Sequence, residues 1–319
     1  MFALICLLVS FSNSFDFDNW VSKFDKHFSA IESLRRRAIF VQNARFVDEF
    51  NKHNTFKLDV DGPFAAHTHE EYLKTLKRSH QDSEEEEDNS VSTQKESLKS
   101  FPETLDLRTL GKVTKIRDQN PCGGCYSFGA LASLEGRLLF IKGDPKTLDL
   151  SEEQAIRCSE NNGCNGGFGY KVYDYIKENG IVQEKDYPFT ATDGECKVDL
   201  SKKFATVSGY TKVAKRNNDA LKSALVDGVV DVAIDASSVK FQLYKTGVYH
   251  DTKCSSAINR LNHEISAVGY GNLNGEEYWI VRNSWGRSWG DKGYILMAIE
   301  GNTCGVTTDP VYPTGVKYI

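Results

Sequence analysis

The cysteines divide this chain into unlike regions. Cys6 stands in the apolar N-terminal stretch, none occurs in residues 15–79, and seven lie between Cys122 and Cys304. A polar run over residues 79–94 separates the two regions. It holds four consecutive glutamates and no aromatic residue, so it cannot bury enough apolar surface to offset the entropy of ordering. This is the expected boundary between two folded units and an expected place for proteolytic nicking. Residues 1–14, a short apolar run ending in small and polar residues, read as a secretory signal peptide cleaved near Ser12 to Ser14. An export route permits disulfides. With Cys6 removed, an odd number of cysteines remains, so at least one thiol stays unpaired.

Of the formal net charge of −5, most falls before residue 101, and the larger C-terminal part is nearly neutral. That balance argues against nucleic acid as the main partner, since phosphate binding wants a basic surface. Past the first dozen residues no stretch is apolar enough to span a bilayer. From Glu32 to Asn51 the apolar residues Leu34, Ala38, Phe40, Val41, Phe46, Val47 and Phe50 recur at three and four, predicting a long amphipathic helix. A second helix is expected from Cys125 to Lys142, with Phe128, Leu131, Leu134, Leu138 and Leu139 on one stripe and Gly143 as its stop. Ser151-Glu-Glu-Gln carries a capping pattern, and Gly169 to Glu178 reads as a further helix. Beyond Val207 the signal turns to strands, at residues 229–234, 264–270, 277–282 and 293–299. Helices first and strands later predict an α+β fold with two subdomains.

The segment Pro121-Cys-Gly-Gly-Cys-Tyr-Ser-Phe carries the chemistry. A thiol at a helix N-terminus meets unpaired backbone N–H groups and the positive end of the dipole, and both favour thiolate. Gly123 beside it lets a substrate backbone come close. The same spacing also suits a zinc half-site, a redox pair of Cys122 with Cys125, or a structural disulfide. A zinc site would want a second close pair and a redox site a βαβ setting; neither is present in the sequence. A nucleophilic Cys125 needs a base, and the base needs an orienter. Only His250 and His263 lie in the C-terminal part. His263 opens a strand, where a rigid element can present it. Asn283 closes the following strand and can accept a bond from the ring, with Trp285 as a shield from water.

These residues resemble the papain-like, cathepsin L-type cysteine proteases made as zymogens. Cys-Gly-Gly-Cys-Tyr matches that family's nucleophile signature, with His and Asn far downstream. Glu32, Arg36, Ile39, Phe40, Asn43, Val47 and Asn51 fall on the spacing of its helical prosegment motif, and Asp59, Asp61, Phe64 and Ala66 are the nearest equivalents of its second one. The wording Gly-Lys-Val-Thr-Lys-Ile-Arg-Asp-Gln also resembles the cysteine proteases of Entamoeba amoebae. The resemblance implies a papain-like fold: a helical left subdomain and a β-rich right subdomain flanking the active-site cleft, preceded by a helical inhibitory prodomain. The expected division is signal peptide 1–14, prodomain 15–80, acidic activation linker 81–100 and peptidase domain 101–319.

Site roles follow from the same resemblance. Cys125 is implied as nucleophile and His263 as base, resting as thiolate and imidazolium, with Asn283 as orienter and Gln119 as side-chain donor of the oxyanion hole. Gly123, Gly166, Gly167, Phe168, Leu261 and Trp285 are implied at the substrate strand and pockets. Asp309, five residues past Cys304, is implied at the floor of the P2 pocket, where a carboxylate would select arginine or lysine; with Asp309 solvated instead, Phe168 and Leu261 would still select aliphatic side chains. The implied disulfides are Cys122–Cys164, Cys158–Cys196 and Cys254–Cys304. No cofactor or metal is implied. Expected partners are protein and peptide substrates, the chain's own prodomain, and cystatin-like or chagasin-like inhibitors; a monomer is expected. The expected location is the secretory pathway, in lysosome-like vesicles or released. Gly124, Tyr126, Gly129 and Leu107 depart from the family's commoner Ser, Trp, Ser and Trp.

Overall fold

The computed structural model describes residues 16–78 and 100–319. The expected signal peptide, its cleavage site and nearly all of the activation linker lie outside the described residues. The N-terminal unit begins with α1 (Phe17–Lys23), α2 (Ala30–His53), β1 (Lys57–Leu58) and α3 (His69–Leu73). The sequence spacing marks α2 correctly, but only part of its expected apolar set is inside. Ile39, Phe40, Ala44 and Val47 are buried, whereas Leu34, Val41 and Phe46 face solvent. Polar residues do the remaining fixing. Arg36 donates to Glu32 and to Glu71, each at 2.6 Å, Asn43 donates to Ala65 O at 2.8 Å, and Asn51 both donates to and accepts from the Leu58 backbone. A helix tied by side-chain bonds to the loop beneath it needs a narrower apolar stripe than spacing alone predicts.

The larger unit continues through β2 (Leu105–Asp106), α4 (Cys125–Ile141), α5 (Glu152–Cys158) and α6 (Gly169–Asn179). Then come β3 (Ala205–Thr206), β4 (Gly209–Lys212), α7 (Asn218–Leu225), β5 (Val230–Ile234), α8 (Val239–Gln242), β6 (Tyr244–Thr246) and β7 (Val248–Tyr249). It closes with β8 (His263–Leu273), β9 (Glu276–Arg282), β10 (Tyr294–Ala298), β11 (Val311–Thr314) and β12 (Lys317–Tyr318). The main sheet runs β4-β11-β5-β8-β9-β10-β7, with β2 also paired to β8. Two apolar cores result. One gathers α4, α5 and α6; the other gathers the sheet and the aromatic residues of the N-terminal unit. The expected α+β, papain-like arrangement of a helical and a β-rich part is what the chain adopts.

Helix α4 is buried on every side from Cys125 to Leu139, not along one stripe. It lies between the two cores, so even Ser127, Ser133 and Glu135 are inside and find polar partners: Ser133 donates to Val229 O at 2.7 Å, and Glu135 accepts from Leu150 N at 2.8 Å. Its N-terminus therefore points at the seam where helical and β-rich parts meet.

The N-terminal unit docks on the β-rich part. β1 pairs antiparallel with β6, Lys57 opposite Thr246. Tyr72 Oη donates to Ala236 O at 2.7 Å, and Gln242 Nε2 donates to Phe64 O and His67 O. Phe64 and Tyr72 both stand edge-on to Trp285, at 4.8 and 5.8 Å between ring centroids.

Candidate active site

Cys125 opens α4, and the residues before it form a tight turn held by Cys122 N donating to Gln119 O at 2.8 Å. The backbone N–H groups of Tyr126 and Glu264 lie near the Cys125 sulfur and favour its thiolate, against burial. The second of these belongs to the residue after His263, so the turn before α4 and the start of β8 are brought together. His263 is fully buried and stacks on Trp285 at 4.5 Å and 19°. Its Nε2 lies 2.8 Å from Asn283 Oδ1, while its Nδ1 has no hydrogen-bond partner among the described residues. Asn283 follows β9, and its Oδ1 also accepts from Ser284 N at 2.8 Å. The Nε2 atom must then carry the ring proton, which leaves Nδ1 as the basic nitrogen.

Gln119 is held at both ends of its amide. Ser284 Oγ donates to its Oε1 at 2.6 Å and its Nε2 donates to Cys122 O at 3.0 Å. Facing this turn is the loop that ends at α6. Asn161 accepts from Phe168 N at 2.9 Å and donates to Phe168 O, which fixes the end of the run through Gly166 and Gly167. A Cβ on Gly167 would run into the Asn161 side chain. Gly123 N donates to Cys164 O at 3.0 Å, and the same glycine has Lys77 of the N-terminal unit directly over it. Leu261 is fully buried, with Gly305 against its Cδ2 methyl.

The cysteine sulfurs are bonded as Cys122–Cys164, Cys158–Cys196 and Cys254–Cys304, and Cys125 is free. Cys122 is therefore not a redox partner of Cys125. Among the described residues no group of His, Cys, Asp and Glu is arranged to hold a metal ion, and no helix is long and apolar enough to cross a membrane.

The cleft is covered. Cys125 is 1% exposed and His263 0%. Burial, with the Glu264 carboxylate beside it, pushes the Cys125 thiol up to about 12. Burial pushes the His263 imidazole down to about 4, against the bond to Asn283. Burial under the N-terminal unit thus disfavours both the thiolate and the imidazolium, because a charge-separated pair needs the water that this unit displaces.

Sequence reasoning missed the cation that pairs with Asp309. Arg78, the last described residue of the N-terminal unit, is buried with its side chain 2% exposed. Its guanidinium donates through Nη2 to Asp309 Oδ2, has Nε 3.4 Å from Glu264 Oε2, and lies 5.1 Å over the Phe168 ring. Its backbone N–H donates to Asn262 O at 3.1 Å. Glu264 was missed too, although a glutamate inside the otherwise uncharged strand His-Glu-Ile-Ser-Ala-Val is a visible anomaly.

Comparison with known proteins agrees with this geometry. Residues 101–314 match the profile described as papain family cysteine protease, and residues 17–72 match the cathepsin propeptide inhibitor domain. The chain is 58% identical to cysteine proteinase 2 and 55% identical to cysteine proteinase 1 of Entamoeba histolytica, over the full length of each chain. Among solved structures, digestive procathepsin L 3 of Tenebrio molitor larval midgut superposes with a TM-score of 0.83 at 32% identity, covering 93% of this chain and 97% of that one. The chain thus belongs to the papain family of cysteine proteases, and is a cysteine-type endopeptidase carrying its own propeptide inhibitor domain.

Proposed function

We propose that Cys125 is the nucleophile of this endopeptidase, His263 its base and acid, Asn283 the orienter of the ring, and Gln119 with the Cys125 N–H the oxyanion hole. Proteolytic removal of the prosegment exposes the cleft, and rehydration lets the Cys125 proton pass to His263 Nδ1. The thiolate attacks the substrate carbonyl carbon, and the oxyanion is held by Gln119 Nε2 and the backbone N–H. The C–N bond then breaks as His263 protonates the leaving amine. A water, deprotonated by His263, attacks the thioester; the acid product leaves and the thiol is regenerated. The observation that carries this reading is the packing of α4, which opens at Cys125, against β8, which opens at His263, with the far ring nitrogen of His263 fixed by Asn283.

The pocket floored by Asp309 favours arginine at P2, with the run Gly166, Gly167 and Phe168 pairing with the substrate backbone. Support comes from Arg78, which already fills that pocket with a guanidinium on Asp309. Residues 15–80 act as the intramolecular inhibitor, cleavage within 81–100 activates, and residues 1–14 direct the precursor to the secretory pathway, for vesicles or release. Cystatin-like or chagasin-like inhibitors would enter the same cleft. The test is turnover by the processed enzyme of two peptides that differ only in Arg or Val at P2. Arg is preferred and Asp309→Ala lowers the preference. Equal turnover by the wild type, or a preference that Asp309→Ala leaves undiminished, overturns the basic-pocket reading. Iodoacetamide must label Cys125 in step with lost activity; retained activity after full labelling overturns the nucleophile.

A further inference from the structure

Behind Asp309 lies a second acidic wall that the reaction does not use. Glu264 and Asp231, on neighbouring strands β8 and β5, are both buried and in side-chain contact. Neither Asp231 oxygen receives a hydrogen bond from any other described group, and Glu264 Oε1 accepts only the Gly169 N–H, at 2.7 Å. Two carboxyl groups can touch in this way only if one proton lies between them. Asp231, which has no other donor, is the group that keeps it, so Glu264 carries the negative charge towards the pocket. The space is made on two helices at once. A Cβ on Gly129 would collide with Asp231 Oδ1, and one on Gly169 would collide with Asp231 Oδ2 and Glu264 Oε1. This accounts for glycine at position 129.

The ligand of this wall is visible. The Arg78 guanidinium is aimed between Asp309 and Glu264, yet its Nε and Nη1 make no hydrogen bond, and Glu264 Oε2 has none either. The prosegment thus leaves two donors and one acceptor of a fork unused. A side chain entering from a peptide substrate can close that fork.

We propose that Glu264 is a second specificity-determining carboxylate of the P2 pocket, bracketing a P2 guanidinium together with Asp309, and that Asp231 is its positioning residue. This rests on the reading of Asp309 as the pocket floor. Asp309 alone offers one point of charge, which lysine and arginine satisfy alike; two carboxylates on different sides of the pocket match the planar fork of arginine and not a point charge. Arginine is therefore preferred over lysine as well as over leucine.

The experiment compares kcat/KM of the processed enzyme on peptides with Arg, Lys or Leu at P2, taking ratios within each variant so that any common loss cancels. Glu264→Gln keeps the shape and the acceptor for Gly169 and lowers both the Arg/Leu and the Arg/Lys ratio by about tenfold, as expected for a lost charge-assisted bond. Asp231→Asn, whose amide still donates to Glu264, keeps both ratios within about twofold of wild type. Should Glu264→Gln not fold, Glu264→Asp supplies the same readout: its withdrawn carboxylate lowers the ratios, and unchanged ratios count against the proposal. Wild-type ratios in Glu264→Gln, with a preference that Asp309→Ala still lowers, overturn the role of Glu264 and leave the basic pocket standing. A wild type with no Arg preference overturns the basic pocket itself. Ratios in Asp231→Asn as low as in Glu264→Gln overturn the positioning role.

Discussion

Replacing Arg78 by alanine in the precursor removes the cation that the prosegment buries against Asp309 and Glu264. The guanidinium is buried between Asp309 and Glu264 and over Phe168. Breaking a buried ion pair by deleting one partner costs about 3–5 kcal/mol, most of it the penalty of leaving the other charge buried. Here water can follow the vacated side chain into the cleft, so the cost drops below that range, to about 2–3 kcal/mol. That raises the uncovered fraction of the precursor by about 30–150-fold. Alkylation of Cys125 by iodoacetamide at neutral pH reads this fraction, because the thiol is inaccessible under the prosegment. The rate is followed by intact mass on chains not yet processed. Arg78→Lys retains the charge but not the fork, and its rate falls between the two. If Arg78→Ala labels at the wild-type rate, Arg78 does not anchor the prosegment and the reading of the pocket as its dock is wrong.

Removing the side-chain donor with Gln119→Ala lowers kcat by about 10²–10³ with little change in KM, measured on a P2-Arg peptide; a fall in KM-governed binding alone contradicts the oxyanion role. Gly129→Ala pushes a methyl onto Asp231 and destabilises the fold by about 1–3 kcal/mol, read as a lower urea midpoint at unchanged slope; an unchanged midpoint shows that the carboxyl pair does not need that space. His67 in the prosegment is pushed down to about 4 by burial and by the Arg36 charge, whereas the Glu71 carboxyl, paired with Arg36, is held down at about 2. A depressed histidine favours docking fully above its free value of 6.5 and loses that contribution as pH falls towards about 4, while the Glu71 pairs stay intact through this window. Acid opening of a Cys125→Ser precursor, followed by tryptophan fluorescence, is therefore blunted by His67→Asn between those pH values; an unchanged acid profile would assign the trigger elsewhere.

The sequence reveals the elements whose periodicity is strong and the residues whose chemistry is unusual at short range. The helix beginning at Cys125, the strand beginning at His263 and the asparagine after the next strand are all legible because each marks the start or end of an element. What periodicity cannot see is where the rest of the molecule lies. Leu34 and Phe46 belong to an apolar stripe by spacing, yet Arg36, Asn43 and Asn51 fix α2 by hydrogen bonds and leave them outside. The all-round burial of α4 is equally hidden, since its serines and Glu135 read as an outer face. In the site, Asp309 is found by counting from a cysteine, but Arg78 is 231 residues away from it in the chain and no local pattern joins them. Asp231 and Glu264 sit in strands that are otherwise apolar, and that contrast alone could have flagged them.

The pH dependence of Cys125 alkylation, compared between precursor and processed enzyme, tests the central claim most directly. In the processed enzyme the thiol should react fast well below the ordinary cysteine value of about 8.5, and His263→Ala should return it to that value. In the precursor, where burial holds the thiol at about 12 and the imidazole at about 4, labelling should stay slow until the prosegment opens. A processed enzyme whose Cys125 titrates near 8.5 whether or not His263 is present would contradict the account.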